Sequence, residues 1–538
     1  MRDLDLYFEF ERSWVQGRIQ PDLDDFDSDV SGKDWQMSLT TVRPSSGPAV
    51  FQATDHDPVL LSYYETIICS SSTLLDNVKH NPYRHVILPM TMHSKGLYHA
   101  TLAVSAQTLR LSDPKYRTAA LNHGQKAIQA LIQILNQGID SDIEELLGLA
   151  LMLCWYEITD RCRPSWVTHL NGIRAISARC RESSTKDSNI RQFFNRYFAF
   201  HLVLARTAFR VEGDFPSSTD IISSSPRTHT HLVTKTYEPI LSSVSSHQNQ
   251  STLDNSSSKL ECPEPLTAAL PPVLGPTASS EDLDEVDPYM GFSNSLLILI
   301  NDIADLAWQP TPKYMDYHTP SFKDKAIQLK LSLEALRQKT PKQLEPCLEG
   351  RAMRDCTERD YATECMIIAE INRYGALLFL HETCSNRSRI EGSHNQSETF
   401  EDDDQATLRL RLPDEDRSNY IHGILDLLER NLSWIIHTAV LPLWPLFLAG
   451  CCARTEEDRI RVMDIFDASE ELKRFGNIKP AREVVEMVWR QHDLSVQDDR
   501  KRRKAAAVYR SPVQDTYSER FVWERATTLM GGWKLSLT

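Results

Sequence analysis

Apolar residues in this chain recur at three- and four-residue steps, and that spacing restricts the fold to packed helices. Tyr116, Ala120, His123, Ala127, Leu131 and Ile134 form one such stripe, the inward face of a long helix. Asp113-Pro114 supplies its start and Gly138 its stop. A second helix is marked by Ile143, Leu146, Leu147, Ala150 and Cys154, opened by Ser141 with Glu144 at capping-box spacing. Pro164 and Trp166 begin a third, which continues through Leu170, Ile173 and Ile176. The period returns at Leu296, Leu297, Ile300, Ile303 and Leu306, and again at Ile367, Ile371, Ala376 and Leu380. Gly476-Asn477 reads as a stop, after which Pro480 opens a helix burying Ala481, Val484, Val488 and Trp489. Alternation of period two is scarce. The expected fold is all-α, with antiparallel helices on short connections and long disordered inserts between groups of them.

At 538 residues the chain exceeds a typical domain of about 100–200 residues, so more than one helical lobe is expected. Its apolar fraction of 41% lies below the globular norm of about 45–50%, which fits a core diluted by polar stretches. Composition shifts locate those stretches. Residues 1–56 are acidic and aromatic, as in Pro21-Asp22-Leu23-Asp24-Asp25-Phe26-Asp27. They read as a disordered activation segment or as a solvated acidic tail. A first helical lobe covers 57–215, and a Ser/Thr/Pro-rich disordered linker covers 216–285. A second lobe covers 286–384, and a polar insert at 385–415 carries Glu401-Asp402-Asp403-Asp404. The C-terminal helical part runs over 416–495, and 496–538 holds a basic run and a tail.

The formal charge is −15, from 59 basic and 74 acidic residues. Such a body makes no phosphate-binding surface by itself, because that needs clustered Lys and Arg. The start, Met1-Arg2-Asp3-Leu4-Asp5, is acidic where a secretory signal would be basic and then apolar. Asn249, Asn255, Asn386, Asn395 and Asn431 head glycosylation sequons that an intracellular chain would leave unmodified. Eleven cysteines without regular spacing fit a reducing compartment and buried thiols. Leu432–Ala453 contains no Asp, Glu, Lys or Arg and is long enough to span a bilayer. Pro442 and Pro445 interrupt it, so a buried helix, a turn and a second buried helix are expected instead of a membrane segment.

Catalytic motifs are not found. The sequence holds no Gly-x-Ser-x-Gly, His-Glu-x-x-His, Gly-x-x-x-x-Gly-Lys or strand-borne Gly-x-Gly-x-x-Gly. Neither Asp24-Asp25 nor Asp402-Asp403-Asp404 continues as the Asp-Asp-x-x-Asp helix of a metal–diphosphate site. There is no Cys-x-x-Cys; Cys347, Cys356 and Cys365 fall nine apart, and Cys451-Cys452 point to different sides of one helix. His229 and His231 sit in the polar linker. The expectation is no catalytic residue, no cofactor and no metal. Arg500-Lys501-Arg502-Arg503-Lys504 is the one dense basic run. It reads as a nuclear-import signal, a phosphate contact or a solvated tail.

Leu443-Trp444-Pro445-Leu446-Phe447-Leu448-Ala449-Gly450-Cys451, with Glu456-Glu457-Asp458-Arg459 and Gly476-Asn477-Ile478 after it, resembles the C-terminal part of the fungal-specific transcription factor domain. The version concerned is that of binuclear zinc-cluster regulators. Asn81-Pro82-Tyr83-Arg84 through Leu88-Pro89, with Leu97, His99, Ala100 and Ala106, resembles an earlier part of the same domain. Ser165-Trp166 through His169-Leu170-Asn171-Gly172 resembles its tryptophan-containing helix start, and Met290-Gly291 to Leu306-Ala307 its later lobe. The likeness covers roughly 58–495.

The resemblance implies a helical regulatory body that usually follows a six-cysteine, two-zinc DNA reader. The first cysteine here is Cys69, so the zinc cluster is expected to be missing from this chain, and direct DNA binding with it. The leading expectation is a nuclear transcriptional regulator, not an enzyme. Its partners would be itself, related transcription factors or coactivators, with room for a small-molecule effector. The alternatives are a zinc-less protein that heterodimerises with a DNA-binding relative and modulates it, and, remotely, an all-α enzyme.

Overall fold

A computed structural model describes residues 56–74, 81–137, 143–173, 189–211, 283–309, 322–341, 361–394, 414–435, 440–472, 475–505 and 520–538. The chain divides into two compact units, Met1–Thr185 with Arg474–Gly476, and Lys186–Lys473 with Asn477–Thr538. Helices account for nearly all regular structure among the described residues. The all-α expectation holds.

The first unit is built around helix α2, Lys95–Arg110, which lies between α1 (Asp57–Tyr63), α3 (Arg117–Gln137) and α4 (Ile143–Thr159). Every residue from Gly96 to Gln107 except the half-buried Tyr98 is buried, as expected of a helix surrounded by others. Its first turn is closed by Ser94, whose Oγ accepts from Leu97 N at 3.0 Å and donates to Glu145 on α4. Capping therefore also fixes a neighbour. Asp113 Oδ1 accepts from Lys115 N at 3.1 Å and starts the turn that leads into α3. Glycines set how closely these helices approach. A Cβ on Gly96 would lie 2.7 Å from Ala130 Cβ, and one on Gly124 would lie 2.9 Å from the Tyr156 ring.

Beyond α4 the backbone turns through Arg161 and Cys162 in the left-handed region, with φ of 58° and 52°. Each costs on the order of 1–2 kcal/mol, and the turn is tied on both sides. Asp160 pairs with Arg110 at 2.7 Å and with Arg163 at 2.5 Å. Glu157, fully buried, accepts from Ser165 Oγ at 2.6 Å. A helix then covers 165–173 with Trp166 buried at its start, where Pro164 and Trp166 place it. Gly138 and Ser141 lie outside the described residues.

The second unit begins with α5, Asn189–Ala208, followed by a two-stranded antiparallel ribbon of β1 (Val286–Asp287) and β2 (Phe292–Ser293). Gly291 takes φ +77° in the ribbon's turn. Helices α6 (Asn294–Trp308), α7 (Phe322–Ala335), α8 (Tyr361–His394), α9 (Asp414–Ile435) and α10 (Leu443–Cys452) come next. Then follow α11 (Glu456–Leu472), α12 (Ile478–Ala505) and α13 (Val522–Leu529). Helix α8 is the central one, and α6, α7, α9 and α10 all pack on it.

Helix α10 is buried at every residue. Small residues admit it: a Cβ on Gly375 of α8 would lie 3.1 Å from Pro445, and one on Gly450 3.0 Å from Val485 of α12. Pro445 sits in the first turn of α10, where its missing N–H would have had no partner within the helix. Of the uncharged run, Leu432–Ile435 end α9 and Leu443–Cys452 form α10, so two helices share it as expected; only the second is buried throughout, and 436–439 lie outside the described residues. No helix among the described residues is long and apolar enough to cross a membrane.

Three boundaries differ from the sequence expectation. Helix α5, placed with the first lobe by the division 57–215, belongs to the second unit and packs on α6. The polar insert of 385–415 begins as helix, since the backbone of α8 continues to His394. Within 496–538, α12 continues to Ala505, and 520–538 fold into the second unit with Phe521, Trp523, Leu535 and Leu537 buried. Of the acidic segment 1–56 only His56 is described, and of the linker only 283–285. Glu401–Asp404, Cys347, Cys356, His229 and His231 fall outside the described residues.

The approach of α2 to α3 depends on Gly96 having no side chain. Gly96→Val is expected to destabilise the first unit by about 1–3 kcal/mol, as overpacking does. The check is the midpoint of its urea transition followed by circular dichroism.

Candidate functional site

The resemblance-bearing block Leu443–Cys451 converges on the end of α5. A helix leaves its last four carbonyls without partners inside the helix, and here indole N–H groups reach them. Trp308 Nε1 donates to Arg206 O at 2.9 Å, and Trp523 Nε1 donates to Thr207 O at 3.2 Å. Trp444 Nε1 donates to Thr207 Oγ1 at 2.8 Å, and that hydroxyl donates to Leu204 O at 2.7 Å. Thr207, Trp444 and Trp523 are buried to within 1%. The Trp444 and Trp523 N–H groups are therefore satisfied in a dry setting, where an unpaired one would cost about 1–3 kcal/mol.

Aromatic packing continues outward from these bonds. Phe521 stacks on Trp523 at 4.5 Å, Phe379 lies 5.5 Å from Phe521, and Phe447 meets Trp523 edge-on at 6.1 Å. Arg520 donates to the carbonyls of Ala307 and Gln309 at the end of α6 and lies over Trp308. Near the middle of α5, His201 Nδ1 contacts Thr538 Oγ1 at 3.0 Å and its Nε2 contacts Tyr289 Oη at 3.1 Å. Burial pushes this imidazole down to about 3, so it stays neutral. Asn477 Nδ2 donates to Ser536 O and Thr538 O at 3.1 and 2.9 Å. Residues 520–538 are thus bonded to α5, α6 and the loop before α12.

A second polar set lies in the first unit. His99 Nδ1 faces His123 Nδ1 at 3.1 Å, His123 Nε2 lies 3.4 Å from Asp57 Oδ1, and Tyr98 Oη donates to Asp57 Oδ2 at 3.3 Å. Burial, with His123 and Lys126 adding to it, pushes His99 down to about 4. His123 is lowered too, by burial, against the pull of Asp57. His123 meets its two partners through opposite ring nitrogens, so the three groups do not converge on a point. Among the described residues no group of three or more His, Cys, Asp or Glu could hold a metal ion.

Reactive chemistry is suppressed elsewhere as well. Cys451 and Cys452 are both fully buried; burial raises the Cys452 thiol to about 12 and holds Cys451 well above the ordinary thiol range. Cys365 and Cys384 are raised to about 12 for the same reason. A protonated, buried thiol is neither nucleophile nor ligand. Glu382 is held low although burial opposes it, by His381 and by Arg417, whose Nε donates at 2.8 Å. Arg417 also donates to Cys452 O at 2.9 Å, which ties α8, α9 and α10 together.

The basic run Arg500–Lys504 lies in the last turns of α12. Arg482 pairs with Asp467 and Arg459 with Asp493, so α12 runs antiparallel to α11. The backbone turns carrying the run therefore lie past the start of α11. Positive charge at a helix C-terminus also complements the dipole. Sequence reasoning did not single out Thr207, Trp308, Arg520 or Trp523. The available signal was the apolar pattern of Phe521, Trp523 and Ala526 near the chain's end.

Fold and site together define an all-α protein whose second unit is organised around buried aromatic residues at the end of α5. The family model described as "Fungal specific transcription factor domain" matches residues 59–538, and the chain belongs to that family. Comparison with curated proteins and with solved structures returns no match.

Two outcomes follow from this geometry. Thr207→Val keeps the shape but leaves the Trp444 N–H unpaired, at a cost of about 1–3 kcal/mol. A double-mutant cycle with Trp444→Phe in urea unfolding is expected to recover most of that cost, because neither partner then remains orphaned. For His99, the unfolded chain takes up a proton near 6.5 and the folded chain only near 4. The stability tied to this imidazole is full above about 6.5 and falls as pH drops toward 4, at most by about 1.4 kcal/mol per pH unit. His99→Gln is expected to flatten the stability profile between pH 6.5 and 5, measured by urea midpoints across that range.

Proposed function

We propose that the chain is a nuclear transcriptional regulator that acts through protein contacts and carries out no catalysis. The single observation behind this reading is the family match across 59–538. The character of the core supports it, with helices joined by buried aromatics and thiols held protonated. In this reading the two helical units provide surfaces for self-association, for related transcription factors and for coactivators. The acidic, aromatic residues of 1–56 recruit partners, and Arg500–Lys504 promotes nuclear entry. The sequence contains no Cys-x-x-Cys, so these residues do not supply the six thiolates of a two-zinc DNA reader. In this reading contact with DNA is made by a module other than these residues.

That same feature favours a second reading in which the chain heterodimerises with a DNA-binding relative and modulates it. Crosslinked immunoprecipitation of the tagged chain, analysed by mass spectrometry and by sequencing of the recovered DNA, separates the two. Recovery of discrete genomic sites together with a zinc-cluster protein supports the modulator. Sites recovered with only general coactivators support a regulator in its own right. Nuclear accumulation lost on replacing Arg500–Lys504 by Ala supports the import role. A tagged chain excluded from the nucleus with or without that replacement contradicts the proposal.

A further inference from the structure

Helix α7 presents a stripe that nothing in the described structure covers. Its inward face is Ala326, Leu329, Ser332 and Leu333, all buried. On the outward face Ile327 and Leu331 are 41% and 51% exposed. They stand one turn apart, so they form one apolar ridge. Lys323 and Glu334 are both exposed. At 3.6 residues per turn they fall on the same flank of the ridge. Lys323 lies one turn before Ile327, and Glu334 about one turn after Leu331. Asp324 lies on the opposite flank, at the level that mirrors the exposed, uncharged Ala335.

This arrangement is complementary to itself under a two-fold axis. When two α7 helices face each other antiparallel about the midpoint of the ridge, like flanks meet at opposite heights. Ile327 then meets the partner's Leu331, and Leu331 meets the partner's Ile327. On one flank Lys323 meets the partner's Glu334, and Glu334 meets the partner's Lys323. On the other flank Asp324 meets the partner's Ala335, and Lys330, the charge nearest the two-fold axis, is paired with Asp416 of its own chain at 2.8 Å. A two-fold contact requires a residue and its mirror to be complementary in this way. A row of lysines beside the ridge would instead have pointed to an acidic partner.

We infer that the outward face of α7 is a self-association surface, pairing antiparallel with the same face of a second copy of this chain. One ridge and two flanking ion pairs make a small contact, in the class of transient interfaces under about 1,200 Å². The resulting dimer is weak and depends on concentration. Lys330, on the edge of the same flank, is held by Asp416 at 2.8 Å and Glu334 at 3.8 Å. Glu334 is therefore shared between Lys330 of its own helix and the partner's Lys323. The inference concerns assembly and stands whether or not the chain regulates transcription.

Sedimentation velocity of the full chain over a concentration series tests it, with circular dichroism melting as the control for folding. The wild type is expected to move from monomer to dimer. Leu331→Glu is expected to abolish the dimer without changing the melt. Lys323→Glu alone places like charges opposite each other twice per dimer and weakens association about tenfold. Lys323→Glu with Glu334→Lys restores it to within a few-fold, an outcome that a purely local effect on helix stability does not produce. A wild-type chain that stays monomeric at every concentration overturns the inference, whatever else covers the ridge. So does a dimer indifferent to Leu331→Glu, or a double charge reversal no tighter than the single one.

Discussion

The second unit depends on how α5 ends. That helix ends at Ala208. The carbonyls of Arg206 and Thr207 and the Thr207 hydroxyl are taken by the indoles of Trp308, Trp523 and Trp444. Those three residues come from α6, α13 and α10, which lie far apart in sequence. One helix terminus thus fixes the positions of three others. The directionality of the bonds selects a single arrangement from the many in which large aromatic rings could be buried.

The same arrangement accounts for residues 520–538. Trp523 reaches Thr207, Arg520 reaches the end of α6, Thr538 reaches His201, and Asn477 holds the backbone of Ser536 and Thr538. Leu535 and Leu537 are buried nearly completely. This part of the chain thus contributes to the core through Phe521, Trp523, Leu535 and Leu537. The first unit follows a different scheme. There a single surrounded helix, α2, is approached closely at Gly96, and buried Asp57, His99 and His123 with the half-buried Tyr98 join three helices.

What could be read from the sequence followed from periodicity. The helices carrying Tyr116 to Ile134, Ile143 to Cys154 and Leu296 to Leu306 lie where their apolar spacing places them. The uncharged run does hold parts of two helices, with Pro442 at the N-cap of α10 and Pro445 inside its first turn. Boundaries set by composition fared less well. The stretch from Asn386 to His394 is polar, yet it continues α8 in backbone, because a helix already nucleated extends at little cost through ordinary residues. Helix α5 was grouped with its sequence neighbours, whereas Arg206 pairs with Asn301 and Asp305 of α6, almost a hundred residues away. The role of Trp523 was not legible, since a tertiary hydrogen bond to a backbone carbonyl leaves no spacing signal. The Trp444-Pro445 block carried the family resemblance, and Trp444 is the residue that bonds to Thr207.

Native-state hydrogen exchange of the Trp308, Trp444 and Trp523 indole protons, followed by NMR, is the most direct test of this organisation. If the end of α5 holds α6, α10 and α13 in one cooperative assembly, all three protons exchange with the same free energy, equal to that of unfolding the second unit. An indole of Trp523 that exchanges orders of magnitude faster than that of Trp444 would mean that 520–538 open on their own, and the account would be wrong.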